Sequence, residues 1–483
     1  LTARRSQSGE QVKLALPKGR LLPATARLLA DVGINFDNYS SETRIYRLKS
    51  ENCRGLSAKM FHEKDVPVQV AVGNYDLGIS SSDWIEELSV KYPASSMVKL
   101  IDFGYERGAL YFAVSRWQPY NSIQELLKKK QNLRIVTEYP NLAEAAAINL
   151  RLKKYQIFPS WGSVEVYPPE DADIAVLKAY DNNELRFQNL IALQPMLETS
   201  TFLIANRESL QDKDVSTVIE RLAVGAKKTK KSWKGMETRP SPIANTYTGS
   251  YSINAVRLAV PDGHQRSPTV ELLKKAGVVI KGYTKGTLDR RPVIEGYDIK
   301  VKVSRPQDMP LHVANGNYDF AVTGKDWYLD HLYRFPGSPV TKVLDLEFGW
   351  VRIVVVVIED MPVDSIDDIR NLLRQGSMKS LRVASEYINI ADRYLNENHL
   401  NPYRLIPTWG ASEVFLPEDA DVLIENTQTG KTLATHRLKI IDTIMESTAC
   451  LVANTNSLKS KDKLDIMNSF ISTLRSGVKK QQS

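Results

Sequence analysis

Cysteine is almost absent: Cys53 and Cys450 are the only two in 483 residues, with no CxxC spacing and no companion histidine cluster. That excludes a disulfide framework, leaves a zinc site unsupported, and makes two isolated buried thiols the expectation. Long apolar runs are missing too. The longest, such as Ile353 to Ile358, suit a buried strand and fall far short of the ~18 residues a membrane-spanning helix needs, so no membrane association is expected. The segment Leu1 to Gln11 carries two arginines and no apolar stretch, which excludes a secretory signal within it and makes a cytoplasmic protein the expectation. Neither a GxxxxGK[ST] loop nor a Ser/His/Asp ordering occurs, so Walker-type phosphate binding and nucleophilic catalysis are set aside. Charge of one sign is only in mild excess, a formal +8. This suits small polyanions and makes no case for nucleic acid. The basic run Lys227 to Lys234 reads as a solvated helix end and linker.

What is present is a length beyond the roughly 250–300 residues at which single cores stop growing, an ordinary globular composition with 42% apolar residues, and an internal repeat. Trp161-Gly162 returns as Trp409-Gly410, Glu138-Tyr139 as Glu386-Tyr387, and Asp171-Ala172-Asp173 as Asp419-Ala420-Asp421, all at one offset of 248 (409 minus 161). Upstream, Gly73-Asn74-Tyr75-Asp76 returns as Gly316-Asn317-Tyr318-Asp319 at a slightly smaller offset, as loop insertions would produce. The chain therefore reads as a first domain at 1–231, a Pro-, Gly- and Ser-containing linker at 232–252, and a second domain at 253–483. Within each copy short apolar strands alternate with helical stretches, Val12 to Leu16 before Ala24 to Ala30 and Val256 to Val260 before Thr269 to Ala276. That alternation predicts α/β layers with mostly parallel sheets.

Three segments carry chemistry. The first is Glu425 followed by Thr427-Gln428-Thr429-Gly430-Lys431-Thr432, after the apolar strand Val422 to Ile424 and before a helical pattern from Leu433. Hydroxyls, a glycine and a lysine there offer donors to a phosphate, and the acid can take ribose hydroxyls. On spacing alone an ordinary glycine-containing start of a helix stays open. The second is Leu16-Pro17-Lys18-Gly19-Arg20-Leu21 at the end of the first strand, where open α/β sheets bind ligands and a Lys/Arg pair can grip phosphate; a solvated turn stays open there too. The third, Leu77 to Asp83 with its counterpart Phe320 to Asp326, is small and hydroxylated, with Asp83 and Asp326 placed as helix N-caps.

In this order the segments resemble ATP phosphoribosyltransferase of histidine biosynthesis. The first copy reads LALPKGRLL at 14–22, DVP at 65–67, GNYDLGISSSD at 73–83, TEYPNL at 137–142 and WGSVEVYP at 161–168. The second reads DMP at 308–310, GNYDFAVTGKD at 316–326, SEYINIA at 385–391 and ADVLIENTQTGKTL at 420–433. The resemblance implies two tandem copies of a bilobal unit like the type-II periplasmic binding proteins, each with two α/β lobes around a cleft. It implies a Mg²⁺-dependent displacement in which N1 of ATP attacks C1 of phosphoribosyl pyrophosphate, with the ion's ligands left open. It places phosphoribosyl pyrophosphate on Glu425, Thr427, Gln428, Thr429, Gly430, Lys431 and Thr432. Lys18, Arg20 and Arg44 become the catalytic cations, and Asp76, Gly78, Ser80, Glu138 and Tyr139 the nucleotide-binding residues.

Neither copy matches throughout. Asp181-Asn182-Asn183-Glu184 stands where the second copy has Thr429 to Thr432, and Asp262 and His264 stand where the first has Lys18 and Arg20. Acids facing a phosphate repel it. A covalent pseudo-dimer is expected, with either a composite site or one working cleft beside a retained one. A homo-oligomer and a partner resembling histidyl-tRNA synthetase stay open. Segment 457–480 mirrors 209–228, so no third domain is expected after the second copy. The rival readings are a catalytically inactive small-ligand-binding or regulatory homologue and a phosphoribosyltransferase with another acceptor.

Overall fold

Strand Val12–Pro17 is buried at five of its six positions, and a strand apolar on both faces belongs inside a sheet that is covered on both sides. The computed structural model, which describes residues 11–40, 46–50, 52–53, 55–229, 255–283, 289–410 and 412–482, places it there. Arg44 and the linker at 232–252 lie outside the described residues, as do residues 1–10 and the basic run beyond Thr229.

Each copy holds two sheets. In the first, a six-stranded sheet runs in the order Arg47–Lys49, Leu56–Phe61, Val12–Pro17, Leu77–Ser81, Thr201–Asn206, Met97–Asp102. Its second sheet is Leu190–Thr199, Gly108–Ser115, Ile174–Ala179, Leu133–Thr137, Tyr155–Pro159. The second copy repeats the pattern with a seven-stranded sheet centred on Val256–Pro261 and a five-stranded one centred on Val422–Thr427. The fold is thus α/β in two similar tandem halves. The sheets are mixed rather than mostly parallel: Val12–Pro17 is parallel to both neighbours, but Thr201–Asn206 is antiparallel to both of its own. The cause is the short connections. Thr201–Asn206 follows Leu190–Thr199 of the other sheet almost at once, so no crossover helix is available to turn it parallel.

Helices pack on these sheets through apolar faces. Leu28 and Leu29 meet Leu14, Leu16 and Met60 in the first copy, and Leu272, Leu273 and Phe470 meet Leu258 and Phe320 in the second. Among the described residues no helix is long and apolar enough to cross a membrane. Cys450 is buried as expected, but Cys53 is only half-buried and accepts a hydrogen bond from Arg221.

Leu1–Phe158, Asp173–Pro242 and Trp409–Val414 make up one compact unit, and Pro159–Ala172, Ile243–Thr408 and Phe415–Ser483 the other. Within the second unit the first-copy segment Pro159–Ala172 is held by buried charge. Lys302 pairs with Glu170 at 2.9 Å and with Asp171. Arg291 pairs with Glu170 at 3.0 Å and donates to the carbonyls of Val166 and Pro168. Asp308 accepts from Ser160 Oγ at 2.9 Å and from the Trp161 amide at 3.0 Å. Tyr167 stacks on His312, ring centroids 4.4 Å apart.

Two predictions follow from this packing. A methyl at Gly78 would lie 2.7 Å from Val70 and 2.9 Å from Val66. Gly78→Ala should therefore destabilise the first unit by about 1–3 kcal/mol, read as a lower denaturant midpoint; an unchanged midpoint would remove the packing explanation for this glycine. Burial, reinforced by Lys302, pushes the His312 pKa down to about 3. Since an unfolded histidine titrates near 6.5, the unfolded chain binds the extra proton between those values. The stability of the second unit is full above about pH 6.5 and falls by up to about 1.4 kcal/mol per pH unit as acid carries it towards pH 3. Unfolding curves from pH 7 to 4.5 should show a steeper slope in the wild type than in His312→Gln, where part of the slope stays with His331, whose pKa burial lowers to about 4; equal slopes would contradict the assignment.

Candidate functional site

The second-copy segment folds differently from its expected outline in one respect. The strand does not stop at Ile424 but runs on through Thr427, because Glu425, Asn426 and Thr427 stay in register with Val354, Ile353 and Arg352. The turn proper is Gln428–Gly430, followed by a helix of only five residues, Lys431–Thr435. So short a helix adds little dipole, and affinity for an anion has to come from hydroxyls, turn amides and cations. Gly430 has φ +73° with open space around its missing side chain, the backbone conformation that glycine alone adopts at little cost. Thr427 Oγ1 accepts the Gly430 amide at 3.0 Å and fixes the turn. Gln428, Thr429, Lys431 and Thr432 are exposed. Among the described residues no carboxylate pairs with the Lys431 ammonium.

Below the turn a hydrogen-bonded chain joins the two lobes of this copy. Ser447 Oγ donates to Asp326 at 2.9 Å, Tyr387 donates its hydroxyl to the other oxygen of Asp326 at 2.7 Å, and Asn426 donates to the Tyr387 hydroxyl at 3.0 Å. Glu425 accepts from the Asn426 amide and side chain. Trp327 stacks on Tyr387, ring centroids 4.3 Å apart. The cavity beside this chain, lined by His264, Gln307, Trp327, Glu386, Tyr387 and Asn426, measures about 130 Å³. Small-molecule sites span roughly 300–1,000 Å³, so this cavity is smaller than such sites. Asp262, the counterpart of Lys18, pairs with Arg290 at 2.8 Å.

The first copy keeps the same scaffold and closes it with charge. Tyr139 donates to Asp83 at 3.1 Å and its ring lies 4.3 Å from that of Trp84. Lys178, where the second copy has Asn426, pairs with Asp83 at 3.3 Å, both side chains nearly inaccessible, and donates to Ser81 Oγ at 2.7 Å. Burial alone would raise the Asp83 pKa, but the Lys178 ammonium, the Ser81 hydroxyl, Arg20 and the Tyr139 hydroxyl outweigh it and hold the carboxyl below the usual range. Lys64 pairs with Glu138 at 2.6 Å. Arg20 pairs with Glu63 at 3.1 Å and donates to the Tyr180 hydroxyl, and Lys18 lies 5.6 Å from the Tyr46 ring. Asp181 and Glu184 are spent on backbone amides, those of Asn183 and Glu184 and that of Tyr180.

Several expected residues land elsewhere. Asp76 sits before strand Leu77–Ser81, at the opposite end of the sheet from Lys18. Its carboxylate takes the Lys13 amide, the Ser209 hydroxyl and the Lys213 ammonium, which tie it to the elements around it. Gly78 is inside the same strand against Val66 and Val70, and Ser80 is buried with its hydroxyl on the Glu63 carbonyl. Asp83 and Asp326 are not N-caps: Ser81 and Gly324 take that position, and the aspartates sit one step into the helix with their carboxylates turned to Tyr139 and Tyr387. Of the other expected residues, Tyr139 meets Asp83 and Trp84, Glu138 pairs with Lys64, and Arg20 pairs with Glu63, whose carboxylate also accepts from the Trp84 indole. The Asp–Tyr and Trp–Tyr contacts were missed, although their signal was available, since all three residue types recur in both copies. Among the described residues no group of three or more His, Cys, Asp or Glu side chains is arranged to hold a metal ion.

The sequence profile of the ATP phosphoribosyltransferase (HisG) family matches residues 62–224 and 305–476, one region in each copy and together more than half of the chain. The ATP phosphoribosyltransferase of Chlorobaculum parvum is 30% identical over 237 residues, which is 48% of this chain and 74% of that protein. That of Methanocaldococcus jannaschii is 34% identical over 228 residues, 46% of this chain and 72% of its own. Among solved structures, the ATP phosphoribosyl transferase (HisG:HisZ) complex from Thermotoga maritima covers 46% of this chain and 98% of that chain, at 23% identity and a TM-score of 0.37.

The pair Lys178–Asp83 yields a third prediction. Lys178→Ala leaves a buried carboxylate uncompensated and should cost the first unit about 3–5 kcal/mol. The double substitution with Asp83→Asn should recover most of that loss in denaturant titrations; no recovery would mean that Lys178 acts through packing instead of charge.

Proposed function

Because this chain belongs to the ATP phosphoribosyltransferase family, we propose that it joins ATP to phosphoribosyl pyrophosphate, releasing pyrophosphate, with the second copy holding the activated sugar. The observation that carries the reading is the contrast between equivalent segments. In the second copy Thr429, Lys431 and Thr432 are exposed around a glycine turn. In the first copy the same positions hold Asp181, Asn183 and Glu184.

In this reading the turn from Thr427 to Thr432 takes the 5-phosphate through hydroxyls, amides and the Lys431 ammonium, and Glu425 takes the ribose hydroxyls. N1 of ATP then forms its bond to C1 of the sugar as the bond from C1 to pyrophosphate breaks, and the electron pair leaves with the pyrophosphate. Such a displacement needs alignment and charge compensation more than covalent help from side chains. Among the described residues of the second copy no three acidic or histidine side chains are grouped to hold a metal ion; Mg²⁺ would be held mainly by the oxygens of the substrate's own pyrophosphate, where it would offset the charge of the leaving group.

The first-copy cleft supports the reading with one working site beside a retained one. Arg20, Lys64 and Lys178 each already face a carboxylate, so their charge is spent within the copy. A polyanion would have to break those pairs before it could be held.

Titration calorimetry should detect one phosphoribosyl pyrophosphate per chain, and an absorbance assay should detect the phosphoribosylated nucleotide. Lys431→Ala and Thr432→Ala should each weaken sugar-phosphate binding by about tenfold to a hundredfold, the worth of a charge-assisted hydrogen bond. Arg20→Ala should leave turnover within about twofold. A large loss in Arg20→Ala would restore the composite site, and no heat with either substrate would favour a binding protein without this chemistry.

A further inference from the structure

We infer that Arg352 is a phosphate-binding residue of the second copy, a cation that completes the sugar-phosphate site from the neighbouring strand; this rests on the function proposed above. Arg352 is the second residue of strand Val351–Ile358, and the five that follow it are Ile353-Val354-Val355-Val356-Val357. A lone guanidinium at the head of such a run has no packing reason to be there.

The register places it. Arg352 is directly opposite Thr427, the residue whose hydroxyl fixes the glycine turn. Directly opposed residues of an antiparallel pair sit roughly 4.5–5.5 Å apart at Cα and share one face of the sheet. The guanidinium leans over the ring of Trp350, 5.9 Å from its centroid. Trp350 lies two residues back along the strand, and in an antiparallel ladder that direction runs past Thr427 towards Gln428, Thr429 and Gly430. The arginine is therefore aimed at the turn.

It is also uncompensated. Its Nε is buried without a hydrogen-bond partner, and among the described residues no carboxylate pairs with its guanidinium. Glu446, on the other flanking strand, faces the same side in register, yet no ion pair joins the two. A half-buried guanidinium left this way is costly, and its planar fork matches a phosphate dianion bidentately. The first copy makes the same comparison from the other side. There Ala109 takes this ladder position, opposite Ala179, and the adjoining turn carries Asp181 and Glu184. At this ladder position the cation accompanies the hydroxyl turn in the second copy and both are missing from the first, whose nearby arginine, Arg107, stands two residues earlier and pairs with Asp102 at 3.1 Å.

The experiment is calorimetric titration of the full chain and of Arg352→Gln with ribose 5-phosphate, phosphoribosyl pyrophosphate and ATP, alongside melting of the ligand-free proteins. Arg352→Gln should bind both sugar phosphates about tenfold to a hundredfold more weakly, bind ATP as the wild type does, and melt no lower without ligand. Arg352→Lys, which keeps the charge and loses the fork, should recover part of the affinity. Wild-type-like binding of ribose 5-phosphate by Arg352→Gln would overturn the inference while leaving the proposed function standing. So would a fall in ligand-free melting temperature in both variants with affinity retained, the mark of a purely structural role. A wild type that binds neither sugar phosphate would overturn both.

Discussion

In both copies a buried aspartate in the first turn of a helix on one lobe accepts the hydroxyl of a tyrosine from the other, Asp83 from Tyr139 and Asp326 from Tyr387. A carboxylate taken out of water has to be compensated, and the way each copy does so decides what its cleft can hold. In the first copy the compensation is the Lys178 ammonium, which brings a positive charge into the cleft and spends it there. In the second, Ser447 and the chain through Tyr387 to Asn426 do the work with neutral donors. Changing lysine to asparagine at one repeat position removes an internal ion pair and leaves a contact between lobes that costs less to open.

The same logic explains why the two clefts diverged as whole sets of residues. Once Lys178, Lys64 and Arg20 are neutralised by Asp83, Glu138 and Glu63, hydroxyls in the adjoining turn have no anion to meet. Asp181 and Glu184 then serve as acceptors for local amides, although burial and the Asp181 charge raise the Glu184 pKa. In the second copy, where the turn keeps its threonines, Lys431 and Arg352 keep their charge uncommitted.

Much of this was legible in the sequence, and the limits have physical causes. The duplication could be read because its local patterns return at a nearly constant offset, and the turn at Thr427 to Thr432 because its hydroxyls, glycine and lysine are adjacent in the chain; the two lobes per copy were implied by the family resemblance. Asp76 and Ser80 were grouped in one loop, whereas that stretch is a strand, Leu77–Ser81, and five residues of strand carry the chain roughly 16 Å from one end of the sheet to the other. Asp83 looked like a cap because capping is the commonest local use of aspartate, whereas its true partner, Tyr139, is 56 residues away. Arg352 was invisible for a related reason. Its meaning lies in facing Thr427 across a ladder, and strand register is not written in either segment alone.

The first copy could still be dispensable if its only contribution were a closed cleft, but the second unit argues otherwise. That unit includes Pro159–Ala172 of the first copy, and the segment's Glu170 and Asp171 are the carboxylates that compensate Lys302, while Ser160 and the Trp161 amide satisfy Asp308. Lys302 and Asp308 are themselves buried. A second copy without that segment would lose the counter-charges of Lys302, the donors to Asp308 and the stacking of Tyr167 on His312. The second unit therefore draws part of its packing and charge compensation from the first copy, whether or not the first-copy cleft binds a substrate. The turn at Asp181 to Glu184 is not among those contacts, so its loss of hydroxyls leaves them untouched.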